Sequence, residues 1–311
     1  MTIDSSKGIA GLKGALRYVR AYRDRVFVVK LGGDVVSDPG TLDQAAAQLA
    51  LLSSLGIRLV VVHGGGPQAT ALSRKLGTEP TIIAGRRVTD DQALEVAKMV
   101  YGGQLNTDLL ASLREHRLQA VGLSGVDADL ITAHRRPPVT IVDDAGKKQV
   151  VDYGHVGDID RVDPRVLNTL MDGRFVPVIA SLAGDDDGNV YNVNADTVAE
   201  SIAVALQAMK LIFMTGAPGV LRDRNDPSSL VTFADPDDLT TLMASGALAG
   251  GMRPKVEACI RAATSGVERT HIIDGRAPDA LLLEVFTGAG LGTMIVGRKE
   301  KATYLGVDLA G

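Results

Sequence analysis

Short aliphatic runs, amphipathic segments and glycine-rich junctions alternate along this chain. The runs at 26–31, 59–62, 119–124, 175–180, 210–215 and 270–274 are almost continuously apolar and rich in β-branched residues. That pattern predicts parallel strands buried on both faces. Between them, 41–55, 68–76, 90–114, 164–171, 197–208, 256–264 and 278–286 read as helices. The alternation predicts an α/β fold: an open, mainly parallel sheet with helices on both faces, an α/β/α sandwich. Residues 129–160 break it. Their runs at 130–133, 139–142 and 149–153 surround turns such as 144–146 and read as antiparallel hairpins, the sort of flap that covers a site.

One further helix precedes the first strand. Ile9, Leu12, Leu16, Val19 and Tyr22 share one face of it, opposite a basic face. Residues 1–24 therefore read as an appendage for oligomerisation or regulation. Packing on its own domain and packing on another subunit both satisfy the pattern.

The chemistry lies where strands end. His63-Gly64-Gly65-Gly66-Pro67-Gln68 follows a buried strand and opens a helix, which presents free N–H groups to an anion. Lys30-Leu31-Gly32-Gly33 closes another strand, and a lysine there is costly unless it faces a cleft holding an anion. Gly250-Gly251-Met252-Arg253-Pro254-Lys255 repeats the glycine-to-lysine theme. Two lysines and several free amides about one cleft suit phosphoryl transfer, whose transition state spreads charge over oxygens. Further along, Thr89 is expected to cap the helix that starts near Asp90.

Composition narrows the classes. A net charge of −4 supplies no basic field for nucleic acid or anionic membrane, and with 4% aromatics and no Trp a base-stacking platform is not expected. No apolar run of spanning length and no signal-peptide pattern occurs, so a soluble, cytoplasmic protein is expected. The single cysteine, Cys259, reads as a buried small side chain. No P-loop motif and no clustered metal ligands occur. The motif Gly64-x-Gly66-x-x-Ala69 admits a dinucleotide binder, but the acidic residue that reading needs is replaced by Gly85-Arg86-Arg87. A ligand-sensing domain on the same fold would not need two lysines at one phosphoryl group.

The segments Lys30-Leu31-Gly32-Gly33, Val62 to Gln68, Gly85-Arg86-Arg87-Val88-Thr89, Asn192-Val193-Asn194-Ala195-Asp196 and Gly250 to Lys255 resemble, in this order, the amino-acid kinase family. The resemblance is to its arginine-sensitive, N-acetylglutamate-phosphorylating branch and covers essentially the whole chain. It implies that Lys30 and Lys255 hold the transferred phosphoryl group and that Asp196 orients them. It implies that Gly32 and Gly33 donate to phosphate oxygens, with Thr215 beside the nucleotide. Gly65 and Gly66 would bind the acceptor carboxylate, Arg87 the α-carboxylate, and Asn192 the acetylated amino acid beside it. ATP would be the phosphoryl donor, with Mg²⁺ carried on it. A related carboxylate, such as a carrier-linked aminoadipate or glutamate, is the alternative acceptor. Residues 25–187 would form an acceptor-binding lobe and 188–311 a nucleotide-binding lobe of one kinase domain. The resemblance further implies an arginine site at Tyr18, His271, Glu284 and Gly290, with Glu284 offering a bidentate partner to a guanidinium, and a homo-hexamer built as a trimer of dimers. The chain departs from the family pattern at Gln104, Val126 and Gly216.

Overall fold

β1 (Val26–Leu31) has five buried residues out of six because strands flank it on both edges and helices cover both faces. The computed structural model describes residues 16–142, 148–248, 250–287 and 290–297. The N-terminal helical residues 16–22, here α1, lead into β1. Then come α2 (Gly33–Val36), α3 (Pro39–Ser54), β2 (Arg58–His63) and α4 (Gly66–Lys75). A small hairpin, β3 (Ile82–Ile83) with β4 (Arg86–Arg87), precedes α5 (Asp91–Ala97), a π-helix (Lys98–Leu105) and α6 (Asn106–Glu115). The chain continues through β5 (Ala120–Ser124), β6 (Ile131–Arg135), β7 (Val139–Val142), β8 (Lys148–Val151) and β9 (Gly157–Val162). After α7 (Arg165–Asp172) come β10 (Val176–Ala180), β11 (Leu182–Gly184), β12 (Val190–Asn192), α8 (Ala195–Ala205) and β13 (Lys210–Thr215). The last elements are β14 (Phe233–Ala234), α9 (Pro236–Ala244), α10 (Met252–Thr264), β15 (Arg269–Asp274), α11 (Ala280–Phe286) and β16 (Thr293–Val296).

The main sheet has eight strands in the order β14-β16-β15-β13-β1-β2-β10-β5, all paired in parallel except β15 with β16. One face carries Val29, Leu31, Val61, Ile212 and Met214 against α3, α6 and α11. The other carries Val28, Val60, Val62, Leu211 and Phe213 against α8 and α10. The expected sheet, with helices on both faces, is thus in place. Strands from 25–187 occupy one half and strands from 210–296 the other, joined where β1 pairs with β13. A division at 187/188 cuts the turn between β11 and β12, which pair antiparallel in a four-stranded sheet with β6 and β9. The flap hairpins are there too: β6 pairs antiparallel with β9, and β7 with β8.

Two local expectations change. Asp90, not Thr89, caps α5, its side chain accepting from Ala93 N–H at 2.8 Å. Thr89 is fully buried, and its hydroxyl instead accepts from Asn192 Nδ2 at 3.1 Å. The helix read as continuous over 90–114 does run on, but through a π-helical stretch at Lys98–Leu105 that shifts the residues of α6 around the axis. Among the described residues, α1 lies on its own domain: Tyr22 is buried, with its ring 5.3 Å from that of Phe27 and 6.4 Å from that of Phe286. No helix among the described residues is long and apolar enough to cross a membrane.

Candidate active site

Parallel strands deliver their C-terminal ends to one edge of the sheet, and the ends of β1, β2 and β13 bring three loops together there. Lys30 is the fifth residue of β1 and points to the face covered by α8. Asn194 caps that helix, accepting from the N–H groups of Asp196 at 2.7 Å and Thr197 at 3.4 Å. Asp196, in the first turn, is thereby free to face the lysines. Its Oδ1 lies 2.8 Å from Lys30 Nζ and its Oδ2 lies 3.1 Å from Lys255 Nζ, at the start of α10. Lys255 also reaches the Gly251 carbonyl at 3.3 Å. The Lys30 contact is close but out of line for a hydrogen bond, so Oδ1 has no aligned donor among the described residues.

Two cations on one carboxylate leave a net positive charge inside the protein. Burial pushes the Lys30 ammonium below its usual pKa; Asp196 opposes this, and Lys255 adds to it. Burial pushes the Asp196 carboxyl up, but the two ammoniums outweigh it and hold the group below the usual carboxylate range. An anion placed beside the two lysines would restore the balance.

Gly65 has no room for a side chain, because a Cβ would meet the Tyr101 ring at 2.5 Å. Gly66 faces open space. Neither N–H has an acceptor in the hydrogen bonds of the described residues, and both lie at the N-terminus of α4. Arg87, from β4, donates to the Gly66 carbonyl at 3.1 Å and to the Thr70 hydroxyl, which fixes its guanidinium over the first turn of α4. Arg87 and Asn192 line one cleft of about 540 Å³ with Gly85, Tyr153 and Asn194, and it extends to Pro254, next to Lys255. Farther along its wall, Arg136 pairs with Asp158, and Arg261 with Glu200 at 2.7 Å. These outer pairs, His63 behind the glycines, and Tyr101 carried no signal of a role in the sequence. Only the packing reveals them.

The nucleotide side departs from expectation in one respect. Gly32 is not a free donor: its N–H bonds the Met214 carbonyl at 2.8 Å. Its glycine identity has another cause, since a Cβ there would meet that same oxygen at 2.8 Å. Gly33 begins α2 beside the Pro67 ring, and buried Thr215 ends β13 with its carbonyl accepting from Gly275. At Gly216 the Asp34 carboxylate fills the space a side chain would take, and it accepts from the Gly216 N–H at 3.2 Å. Val126 is exposed beyond β5, and Gln104 lines a separate groove with Pro67, Gln68 and Asp108.

Of the residues expected to bind an effector, His271, Glu284 and Gly290 come together, while Tyr18 touches other rings. Tyr18 packs on Phe286 and Tyr22, His271 Nδ1 lies 2.7 Å from Glu284 Oε1, and a Cβ on Gly290 would meet Glu284 Oε2 at 2.9 Å. Glu284 is nevertheless not an open bidentate partner. It is buried, and Oε2 already accepts from Leu291 N–H at 2.7 Å and Gly292 N–H at 3.2 Å. On the other side of His271, Nε2 lies 3.0 Å from Lys210 Nζ, a buried lysine whose location within a strand gave no hint of this role.

The acetylglutamate kinase of Myxococcus xanthus is 51% identical over 92% of this chain and 94% of its own length. Two structures of N-acetylglutamate synthase from Neisseria gonorrhoeae superpose with TM-scores of 0.78 and 0.76, at 28% and 26% identity over 93% of this chain. One holds coenzyme A and N-acetyl-glutamate, the other coenzyme A and L-arginine. This chain spans 63% and 65% of those synthase chains. The sequence model of the amino acid kinase family matches residues 25–274, which takes in every strand from β1 to β15 and both lysines with their shared aspartate: this chain belongs to the amino acid kinase family.

Proposed function

We propose that this protein transfers the γ-phosphoryl group of ATP to the γ-carboxylate of N-acetyl-L-glutamate, giving N-acetylglutamyl 5-phosphate and ADP, a step of arginine biosynthesis. The observation that carries the reading is the pair of ammoniums held 2.8 and 3.1 Å from one buried carboxylate, at the edge where the Gly65 and Gly66 amides have no acceptor among the described residues. A relative 51% identical and named acetylglutamate kinase supports the choice of acceptor.

The chemistry needs no base, because a γ-carboxylate is ionised at neutral pH. One carboxylate oxygen bonds to the γ-phosphorus while the bond from that phosphorus to the β,γ-bridging oxygen breaks, and ADP leaves with the electron pair. Lys30 and Lys255 would meet the charge on the transferring group, and Asp196 would hold the two ammoniums in place. Gly65 and Gly66 N–H groups would orient the attacking carboxylate, and Arg87 with Asn192 the α-carboxylate end. Both Asp196 oxygens face lysine ammoniums, so neither is turned toward a metal ion. That suits Mg²⁺ carried on the ATP phosphates, where it would neutralise part of their charge. Acyl phosphate trapped as hydroxamate, with N-acetylglutamate set against aspartate, glutamate and carbamate, tests the reading. No product above background from saturating N-acetylglutamate and MgATP refutes it.

Arginine as an effector is a second reading, favoured by the meeting of His271, Glu284 and Gly290 and by Tyr18 packing on Phe286 of the helix that carries Glu284. A guanidinium there would have to displace bonds that Glu284 already makes. Because Tyr22 belongs to the core, the informative truncation removes residues 1–15 rather than 1–24. It should abolish arginine inhibition and lower the assembly from a hexamer to a dimer on sizing. Unchanged mass with intact inhibition rejects this reading.

A further inference from the structure

Behind the cleft's glycine loop stands a histidine that the reaction does not touch. His63 ends β2 with no exposed surface, and its two ring nitrogens have different partners. Nδ1 lies 2.8 Å from the Gly64 carbonyl oxygen, and Nε2 lies 3.2 Å from Asn106 Nδ2. Asn106 is itself buried, and the same Nδ2 is 3.3 Å from the Val178 carbonyl oxygen, which can only accept. That amide nitrogen is therefore the donor, Nε2 of His63 accepts, and the ring proton resides on Nδ1. Asn106 is held in turn by the lack of a side chain at Gly122, where a Cβ would meet its Oδ1 at 2.0 Å. Burial, aided by the charge of Lys30 and opposed by the bond to Gly64, pushes the His63 pKa down to about 4, which keeps the ring neutral.

The bond from Gly64 to Gly65 is trans, and a planar trans peptide points its C=O and N–H in opposite directions. With the Gly64 oxygen drawn onto a core histidine, the Gly65 N–H faces away from it. We propose that His63 is a positioning residue: its Nδ1–H fixes the Gly64–Gly65 peptide so that the Gly65 N–H meets the acceptor carboxylate, and Asn106 selects the tautomer. This rests on the acceptor-binding role given to Gly65 above.

The test sets activity against stability in two full-length variants. His63→Asn keeps a donor near the Nδ1 position but leaves a hole; His63→Leu fills the volume but has no donor. The Asn variant should melt lower, yet keep its kcat/KM for N-acetylglutamate within about fivefold of wild type, since the donor survives. The Leu variant should melt nearer to wild type, yet lose about ten- to a hundredfold in that constant with the KM for ATP unchanged, as expected for a misaimed donor. Activity that simply follows melting temperature makes His63 a packing residue and overturns the proposal. Nitrogen-15 NMR of the wild-type ring should show an Nδ1–H tautomer that does not titrate between about pH 5.5 and 8.5. An Nε2–H tautomer overturns it as well. A wild-type enzyme that makes no hydroxamate from N-acetylglutamate would count against the acceptor reading alone, since the tautomer is measured without substrate.

Discussion

Lys30, Asp196 and Lys255 meet near the C-terminal ends of the parallel strands, on the face covered by α8 and α10. Lys210, His271 and Glu284 meet toward the N-terminal ends of the neighbouring strands, on the face covered by α11. Both clusters bury an ammonium and a carboxylate, and they are wired oppositely. In the first, two cations share one anion, and the amides of Gly65 and Gly66, which have no acceptor among the described residues, lie at the N-terminus of α4 after a neighbouring strand. In the second, one carboxylate accepts from a histidine and two backbone N–H groups, and the histidine's other nitrogen faces the lysine. Excess positive charge with unused donors invites a polyanion; a closed chain of partners holds secondary structures together. Burial of charge alone does not mark an active site. The balance of charges and donors does.

The sharpest break in this comparison is in the first cluster. Lys30→Ala and Lys255→Ala should each lower kcat about a hundred- to a thousandfold, about 2.7–4 kcal/mol by analogy with loss of a transition-state donor, with a smaller effect on acceptor KM. Arg87→Ala, by contrast, should act chiefly on acceptor KM. Lysine variants that change only KM would remove the assigned roles. In the second cluster, Glu284→Gln keeps the shape but removes the negative charge and puts a donor against His271. Its cost should appear as about 1–3 kcal/mol of stability in urea unfolding, with kcat within a few-fold of wild type. A large loss of kcat with unchanged stability would mean that the closed cluster feeds the reaction.

The smallest effect is a pH slope. Burial, with Arg269 adding, pushes the Lys210 pKa down to about 7 from 10.5, against Glu284 and Glu268. Between those two values the unfolded chain binds a proton that the folded chain does not. Stability contributed by this group therefore rises with pH from about 7 to 10.5. Lys210→Met should flatten the rise relative to wild type in melting scans across that window. An identical slope in both proteins would show that Lys210 stays charged on folding. His63, pushed down to about 4 from 6.5, works in the same sense at lower pH: its contribution is lost as pH falls through that interval.

Much of this was legible before folding was considered. Uninterrupted aliphatic runs such as Leu59 to Val62 announce strands buried on both faces, because no polar period appears in them. Glycines followed by a proline or a lysine announce strand-to-helix turns, because those residue types satisfy local backbone geometry. The local chain therefore determined the α/β alternation, the glycine turns, and the placing of Lys30 and Lys255 beside such turns. Other features lay outside that reach. Thr89 and Asp90 both make good caps; Asp90 takes the place, while Thr89 is held by distant partners, its hydroxyl by Asn192, 103 residues later, and its backbone by Tyr153 and His155. Gly32 reads as a phosphate donor until β13 is paired beside it and the Met214 carbonyl takes its N–H. Glu284 reads as an open carboxylate until the turn before β16 closes on it. Lys210, His63 and Asn106 have no local mark of their roles, since each depends on partners from distant segments. Hydrophobic period and turn chemistry act over a few residues and are written in the chain. Which donor meets which acceptor across the sheet is set by packing, and only the tertiary structure decided it.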